Sequence, residues 1–412
     1  VKILALSPVF PDAPADGDRL RLFHWIAEMG RRHEIHLACF TDPARAEDLG
    51  QGSLGPRLAA VHRVAWPLGR RRLAAGLRVL AAAPSGVAAL ASRDMRVLVD
   101  ALIGGAAGAG APFDAVLAYR LKMAPYALRF KGPRFLDYTD SMTRYTERRA
   151  VELALRRRPL AAAFARAQAA RLAAYEAWCA GEFDAGFFNA SQDCEAVGAM
   201  RPKAAAALRV AANGVDAALF RVDRKAAAAA KDPFEMLFVG HLAYPPNADA
   251  VAWFARSVLP LVRARVPKAF LTVLGGDAPA GLSALAGLPG LRFAGFVKDT
   301  LPYLDRAALS VCPVRTGAGR QNKLLEAFAA GLPAVATSLS AQGAEARDLE
   351  HLLVADEPAA FASAVVRLLE QPRLGQALAR KARILARSRY LWPRNAAILE
   401  AAMLRATRRP LW

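Results

Sequence analysis

Cysteine is scarce in this chain: Cys39, Cys179, Cys194 and Cys312 are the only four among 412 residues. They show no C-x-x-C spacing and no histidine at ligand spacing, which argues against a zinc module or a disulfide framework and fits a reducing cytoplasm. Acidic residues are also short, 36 Asp and Glu against 56 Lys and Arg, giving a formal charge of +20. A field of that sign implies anionic partners: phosphorylated substrates, an anionic membrane face or nucleic acid. Part of it reflects the general Arg and Ala richness of the chain. Long apolar runs are missing too. The Ala-rich stretch from Leu73 to Ala91 is interrupted by Arg78 and Pro84, so it falls short of the roughly 18 uninterrupted apolar residues of a membrane span. Val1–Leu6 is too short for a signal h-region and reads as a first strand. The basic residues are scattered, without the aromatic platforms or recognition-helix pattern that nucleic-acid binding uses, which disfavours that partner. Neither a Ser-His-Asp set nor a paired-carboxylate set stands out.

What is present is alternation. KILALS, a helical pattern through Leu20, Leu22, Phe23, Ile26 and Ala27, and EIHLACFT form one βαβ unit of a parallel sheet. Further strands are expected from Val61, Phe113, Pro133 and Phe183, and a second series from Met236, Ala269, Leu291, Ala308, Pro333 and His351. An Ala/Lys-rich linker separates the two series, from Val222 to Asp232. The fold class is therefore α/β, with two Rossmann-like doubly wound domains over 1–210 and 211–386 and a tail over 387–412. The basic helical stretch from Met142 to Trp178 contains Pro159, which predicts two helices or a kink.

One segment carries most of the chemistry, Pro313 to Ser338. An apolar run (Leu309, Val311, Cys312, Val314) opens into a loop with Gly317 and Gly319; a helical pattern (Leu324, Leu325, Ala327, Phe328) follows and stops at Gly331-Leu332-Pro333. Strand, glycine loop and helix start make an anion site, where Arg320 and Lys323 would add charge-assisted bonds. Glu326, a turn further on, is placed to accept two hydroxyl hydrogen bonds from a sugar ring. The competing reading is a capped surface helix with a solvated Glu. Elsewhere, Asp16-Gly17-Asp18 has the look of a D-x-D metal motif, but it opens the first helix, where Asp18 serves as N-cap, so no metal is expected. His24 on that helix reads as a packed or surface residue. Arg120, Asp137 and Asp140 lie at strand ends, where such folds place their ligands.

The run from Gly319 to Ala329, with Arg320, Gln321, Asn322, Lys323, Leu324 and Glu326, resembles the nucleotide-sugar motif of glycosyltransferase family 4. The likeness is greatest to the sugar transferases associated with exopolysaccharide and PEP-CTERM systems. It implies a GT-B fold, two Rossmann-like domains facing a cleft with the C-terminal helix crossing back to the first, and retaining transfer without a cofactor. It also implies that Glu326 holds the ribose and Lys323 the diphosphate. Other matches extend the resemblance. Asn213-Gly214-Val215-Asp216 with Phe220 resembles the family's domain junction. Gly17-Asp18 resembles its first loop, Gly240-His241 its phosphate approach, and Gly275 its Gly-x-Gly turn. Phe296 and Val297 resemble the segment whose backbone holds the base. On the acceptor side, Arg120 to Tyr126 and Asp137-Tyr138-x-Asp140-Ser141 resemble family loops.

Two departures are plain. Ala318 stands where the family commonly has a first Glu, and Tyr244-x-x-Asn247 replaces a diphosphate-binding Lys, shifting that task to Arg320 and Lys323. The implied donor is a UDP-, GDP- or similar nucleotide sugar, and the implied acceptor a glycan or lipid-linked sugar. The basic stretches Arg70–Arg72 and Arg144–Arg158 suit peripheral docking at the anionic inner face of a membrane. The alternatives are a sugar-nucleotide epimerase of the same fold and a basic nucleic-acid-binding protein.

Overall fold

The structure, a computed structural model, describes residues 1–11, 17–41, 52–66, 84–105, 112–155, 157–220, 231–317 and 320–408. It divides into two units, Val1–Ala212 with Trp392–Trp412, and Asn213–Leu391. Each is built on one parallel sheet.

The first sheet contains β1 (Lys2–Ser7), β2 (Glu34–Thr41), β3 (Ala60–Ala65), β4 (Ala115–Tyr119), β5 (Arg134–Thr139), β6 (Ala185–Phe188) and β7 (Leu208–Val210), in the order β3-β2-β1-β4-β5-β6-β7. Its strands are apolar on both faces because helices cover both. In β1, Ile3 and Ala5 enter one core with Leu22, Trp25 and Leu399, while Leu4 and Leu6 enter the other with Val99, Met123 and Val197. The tail helix Trp392–Thr407 belongs to this unit and packs on the helix Gly17–Met29. The tail thus leaves the second unit at Trp392 rather than at 387. Trp392 stacks on His24 with ring centroids 4.2 Å apart, and Glu400 pairs with Arg32 at 2.7 Å and His33 at 2.8 Å. His24 is accordingly a packing residue. The first helix begins at Gly17, which puts Asp18 inside its first turn and corrects the reading of Asp18 as N-cap. The basic stretch does break before Pro159, into helices Met142–Leu155 and Pro159–Glu182.

The second sheet contains β8 (Glu235–Val239), β9 (Phe270–Leu274), β10 (Leu291–Gly295), β11 (Leu309–Cys312), β12 (Ala334–Ala336) and β13 (Leu353–Val354), in the order β10-β9-β8-β11-β12-β13. The order reverses between β8 and β11, and the crevice beyond the strand ends at such a switch point is where doubly wound sheets take their ligands. At the opposite end of β8, Glu235 is fixed by Arg306 at 2.6 Å and by the Thr272 hydroxyl at 2.6 Å, so this buried carboxylate is structural.

Candidate active site at the switch point of the second unit

β11 runs out through Pro313 to Gly317, and the helix Asn322–Ala330 follows it in the chain. Leu324, Leu325, Ala327, Phe328 and Ala329 are buried, and that apolar stripe leaves Lys323 and Glu326, three residues apart, together on the half-exposed face. Gln321 occupies the cap position, yet its side chain makes no capping bond; its Oε1 instead accepts from Lys323 Nζ at 3.1 Å. The helix start is thus not closed by its own cap side chain, as an anion site requires.

The neighbouring helix Pro245–Trp253 follows β8 and differs in kind. Pro245 and Pro246 have no N–H, and the N–H groups of Asn247 and Ala248 already bond the Tyr244 carbonyl at 2.9 and 3.2 Å. That helix start has little to offer an anion. It contributes instead the side chain of Asn247, whose Oδ1 accepts from Lys323 Nζ at 2.9 Å while its Nδ2 donates to the His241 carbonyl at 2.9 Å. Lys323 Nζ also lies 5.2 Å from the Phe238 ring centre. Asn213 Nδ2 donates to Asn322 Oδ1 at 3.2 Å.

Glycine is required where β8 and β9 end. A Cβ on Gly275, whose φ is +155°, would fall 2.0 Å from the Gly240 carbonyl oxygen. A Cβ on Gly240 would meet Asn247 Nδ2 at 2.9 Å and Lys323 Cε at 3.2 Å. The backbone N–H of Gly240 bonds the Leu274 carbonyl at 2.9 Å and that of Gly275 bonds the Gly295 carbonyl at 2.8 Å, so the three strand ends are laced together. Gly317, at φ +104°, lies over Pro246 and Tyr244.

Electrostatics separate the two charged residues. Burial pushes the Glu326 carboxyl up to about 7, with Lys323 pulling the other way, and Glu326 has no hydrogen-bond or ion-pair partner among the described residues. Burial also drives the Lys323 ammonium down from its ordinary value, opposed by Cys312 and Glu326. Both groups therefore hold charge at a cost that a ligand of the right polarity would relieve: hydroxyl donors for Glu326, an anion for Lys323.

The remaining expected site residues fall into three sets. His241 and Phe296 are exposed at the same strand ends, with His241 Nε2 3.3 Å from Asp277 Oδ2 and Phe296 65% exposed, while Val297 is half-buried. Gly319, the side chains of Gly17 and Asp18, and Arg70 to Arg72 lie outside the described parts. Arg320, Leu324 and Asp137 require correction. The Arg320 side chain is 0% exposed, pairs with Glu345 at 3.3 Å and lies over the Tyr390 ring at 4.5 Å, so it is turned inward to these two residues instead of facing a diphosphate. Leu324 is buried and its N–H bonds the Gln321 carbonyl at 3.0 Å, which makes it a packing residue. Asp137 is 0% exposed, accepts from Arg21 Nε at 2.6 Å and from the Thr139 N–H at 2.8 Å, and so locks the first sheet instead of meeting an acceptor.

Asp140 keeps its candidacy. It follows β5 in the first unit, next to Thr139 at φ +66°, with Arg120 at φ +69° closing β4. Its Oδ1 is buried with no hydrogen-bond partner, and burial together with nearby Asp193 raises its carboxyl to about 6. Asp193 is held by Arg144 Nη1 at 2.6 Å. Asn247, Asn213, Glu345, Tyr390 and Asp193 were not singled out as site residues from sequence; each acts through a partner 25 or more residues away, except Asn247 toward His241, and only two positions carried a signal, Asn247 by its displacement of a family Lys and Asn213 by its place in the junction motif.

Residues 233–371 match the model of the group 1 glycosyl transferases. That segment is the body of the second unit and contains Gly240, Asn247, Lys323 and Glu326. No curated protein sequence matches the chain. Among solved structures, sucrose-phosphate synthase from Thermosynechococcus elongatus is 18% identical with a TM-score of 0.70, over 98% of this chain and 99% of that one. HepE from Anabaena in complex with UDP is 14% identical with a TM-score of 0.62, over 98% and 100%. A UDP-forming α,α-trehalose-phosphate synthase from Burkholderia xenovorans is 13% identical with a TM-score of 0.63, over 99% of each chain. These likenesses are of fold: two Rossmann-like α/β units, the GT-B architecture.

Proposed function

We propose that this protein is a glycosyltransferase that binds a nucleotide sugar on its second unit and passes the sugar to a glycan or lipid-linked acceptor in polysaccharide or glycoconjugate synthesis. The carrying observation is the placement of Lys323 and Glu326 on one face of a helix start at the β8/β11 switch point, inside the segment that matches the group 1 glycosyl transferases. Lys323, positioned by Asn247 and Gln321, is the group for the diphosphate; Glu326 is the group for sugar hydroxyls. As the glycosidic bond to phosphate breaks, charge grows on the leaving diphosphate, and a fixed ammonium stabilises that change more than the ground state. Transfer with retention is what the resemblance to the glycosyltransferases implies, and in that mode no dedicated side-chain base is obligatory, because the departing phosphate takes the acceptor proton. Asp140 is the candidate contact for an acceptor hydroxyl. UDP is the favoured nucleotide, since UDP occupies the HepE structure.

A thermal-shift screen of UDP-, GDP- and ADP-sugars without added metal tests the reading. At least one donor is expected to stabilise the protein, by about 2.7 kcal/mol at a hundredfold excess over its dissociation constant. Salt-sensitive DNA binding with no shift from any donor would favour the nucleic-acid alternative. Formation of an epimer from the bound donor with no acceptor present would favour the epimerase.

A further inference from the structure

We propose that the tip of the helical hairpin in the first unit is a wedge that enters the surface of an anionic phospholipid membrane. The helices Met142–Leu155 and Pro159–Glu182 fill the connection from β5 to β6 and close on each other through a small core of their own, Ala150, Leu153, Ala162 and Ala165. At the turn this core ends, and the apolar residues face outward: Leu155 is 81% and Leu160 86% exposed, with Val151 and Phe164 exposed behind them. Arg157, Arg158 and Arg166 are exposed around the same tip, and Arg149 is engaged by Glu152 at 2.8 Å. Between 144 and 171 the sequence has Arg144, Arg148, Arg149, Arg156, Arg157, Arg158, Arg166 and Arg171 against only Glu147 and Glu152.

Single exposed leucines need no explanation, but exposed apolar residues on both sides of one turn, with exposed arginines beside them, do. A second copy pairing through the same patch would set the arginines of one against those of the other. An anionic lipid surface satisfies both features, with the leucines in the headgroup and acyl boundary and the guanidinium groups on lipid phosphates. No helix among the described residues is long and apolar enough to cross a membrane. The inference rests on the glycosyltransferase reading only in naming where a lipid-linked acceptor would be met.

The test is co-sedimentation of the full chain with vesicles of phosphatidylcholine alone or with about one third phosphatidylglycerol, at low and high salt. Wild type is expected to pellet with anionic vesicles and to be released by salt. Leu155→Ser with Leu160→Ser should weaken this about tenfold or more at low salt, and Arg157→Gln with Arg158→Gln about thirtyfold, given the contribution of each basic residue near such a surface. Wild type left in the supernatant, equal binding to both vesicle types, or unchanged binding of the leucine variant overturns the proposal. So does a wild-type dimer, seen by light scattering, that the leucine substitutions dissociate. Nucleotide-sugar thermal shifts of the same variants should match wild type, so that loss of vesicle binding and loss of donor binding are told apart.

Discussion

Lys323 and Glu326 lie three residues apart and should fail differently when changed. Lys323→Ala removes an ammonium that Asn247 and Gln321 hold in position, and turnover of bound donor should fall about ten- to a thousandfold, as when other electrostatic stabilisers are lost. Single-turnover kinetics with saturating donor read this directly. Glu326 makes a different prediction, about stability. Its carboxyl is raised from 4.5 to about 7 by burial, so the folded protein holds a proton that the unfolded chain releases, and stability falls as pH rises through that window. Glu326→Gln is therefore expected to be more stable than wild type by about 1–3 kcal/mol near pH 8, at 1.36 kcal/mol per pH unit less a discount for partial exposure. The two should converge below pH 4.5. Urea unfolding at both ends of the range measures it. A functional carboxylate that costs stability is the expected compromise at a binding site.

At the scale of elements, the strand ends matter more than their side chains. Gly275 brings β9 so close to Gly240 that no side chain fits, and Gly275→Ala must move backbone against backbone. It should destabilise the second unit by about 1–3 kcal/mol and weaken donor binding with it, checked by thermal melts with and without donor. Gly275 was legible in the sequence as a strand-end turn, as were the strands of both sheets except the three-residue β7, because parallel strands write themselves as short apolar runs between helical patterns. The helix break before Pro159 was legible for a similar reason, a missing N–H. Arg320 was not. Its charge made it look like a phosphate ligand, but Glu345 and Tyr390, brought in from later elements, draw it inward. Asp137 misled in the same way, because a strand-end carboxylate and its buried partner Arg21 are 116 residues apart. Asn247 was visible only as a departure, and its task of gripping Lys323 follows from two helices meeting in space.

At the scale of the molecule, the chain is two units, and the first is completed by residues from the far end of the sequence. Trp392 is 4% exposed and stacks on His24, and the Glu400 carboxylate serves Arg32 and His33. Trp392→Ala should therefore cost about 3–5 kcal/mol, as for other buried aromatic truncations, and the loss should fall on the first unit. Calorimetry is expected to show the first unit's transition lowered while donor still protects the second. A single transition, lowered uniformly and insensitive to donor, would mean that the tail stabilises the chain as one block.

Glu326 is proposed to hold a nucleotide sugar as a carboxylate. Titration calorimetry with the donor that gives the largest thermal shift, on wild type and Glu326→Gln at about pH 6 and pH 8, tests it most directly. Wild-type affinity should rise about tenfold over that range as a group with a pKa of about 7 ionises. Glu326→Gln should bind about ten- to a hundredfold more weakly at pH 8, the range for a hydrogen bond to a charged group, and show no such rise. Equal affinities for the two proteins at pH 8, or the same pH dependence in both, would mean that the Glu326 carboxylate does not hold the donor.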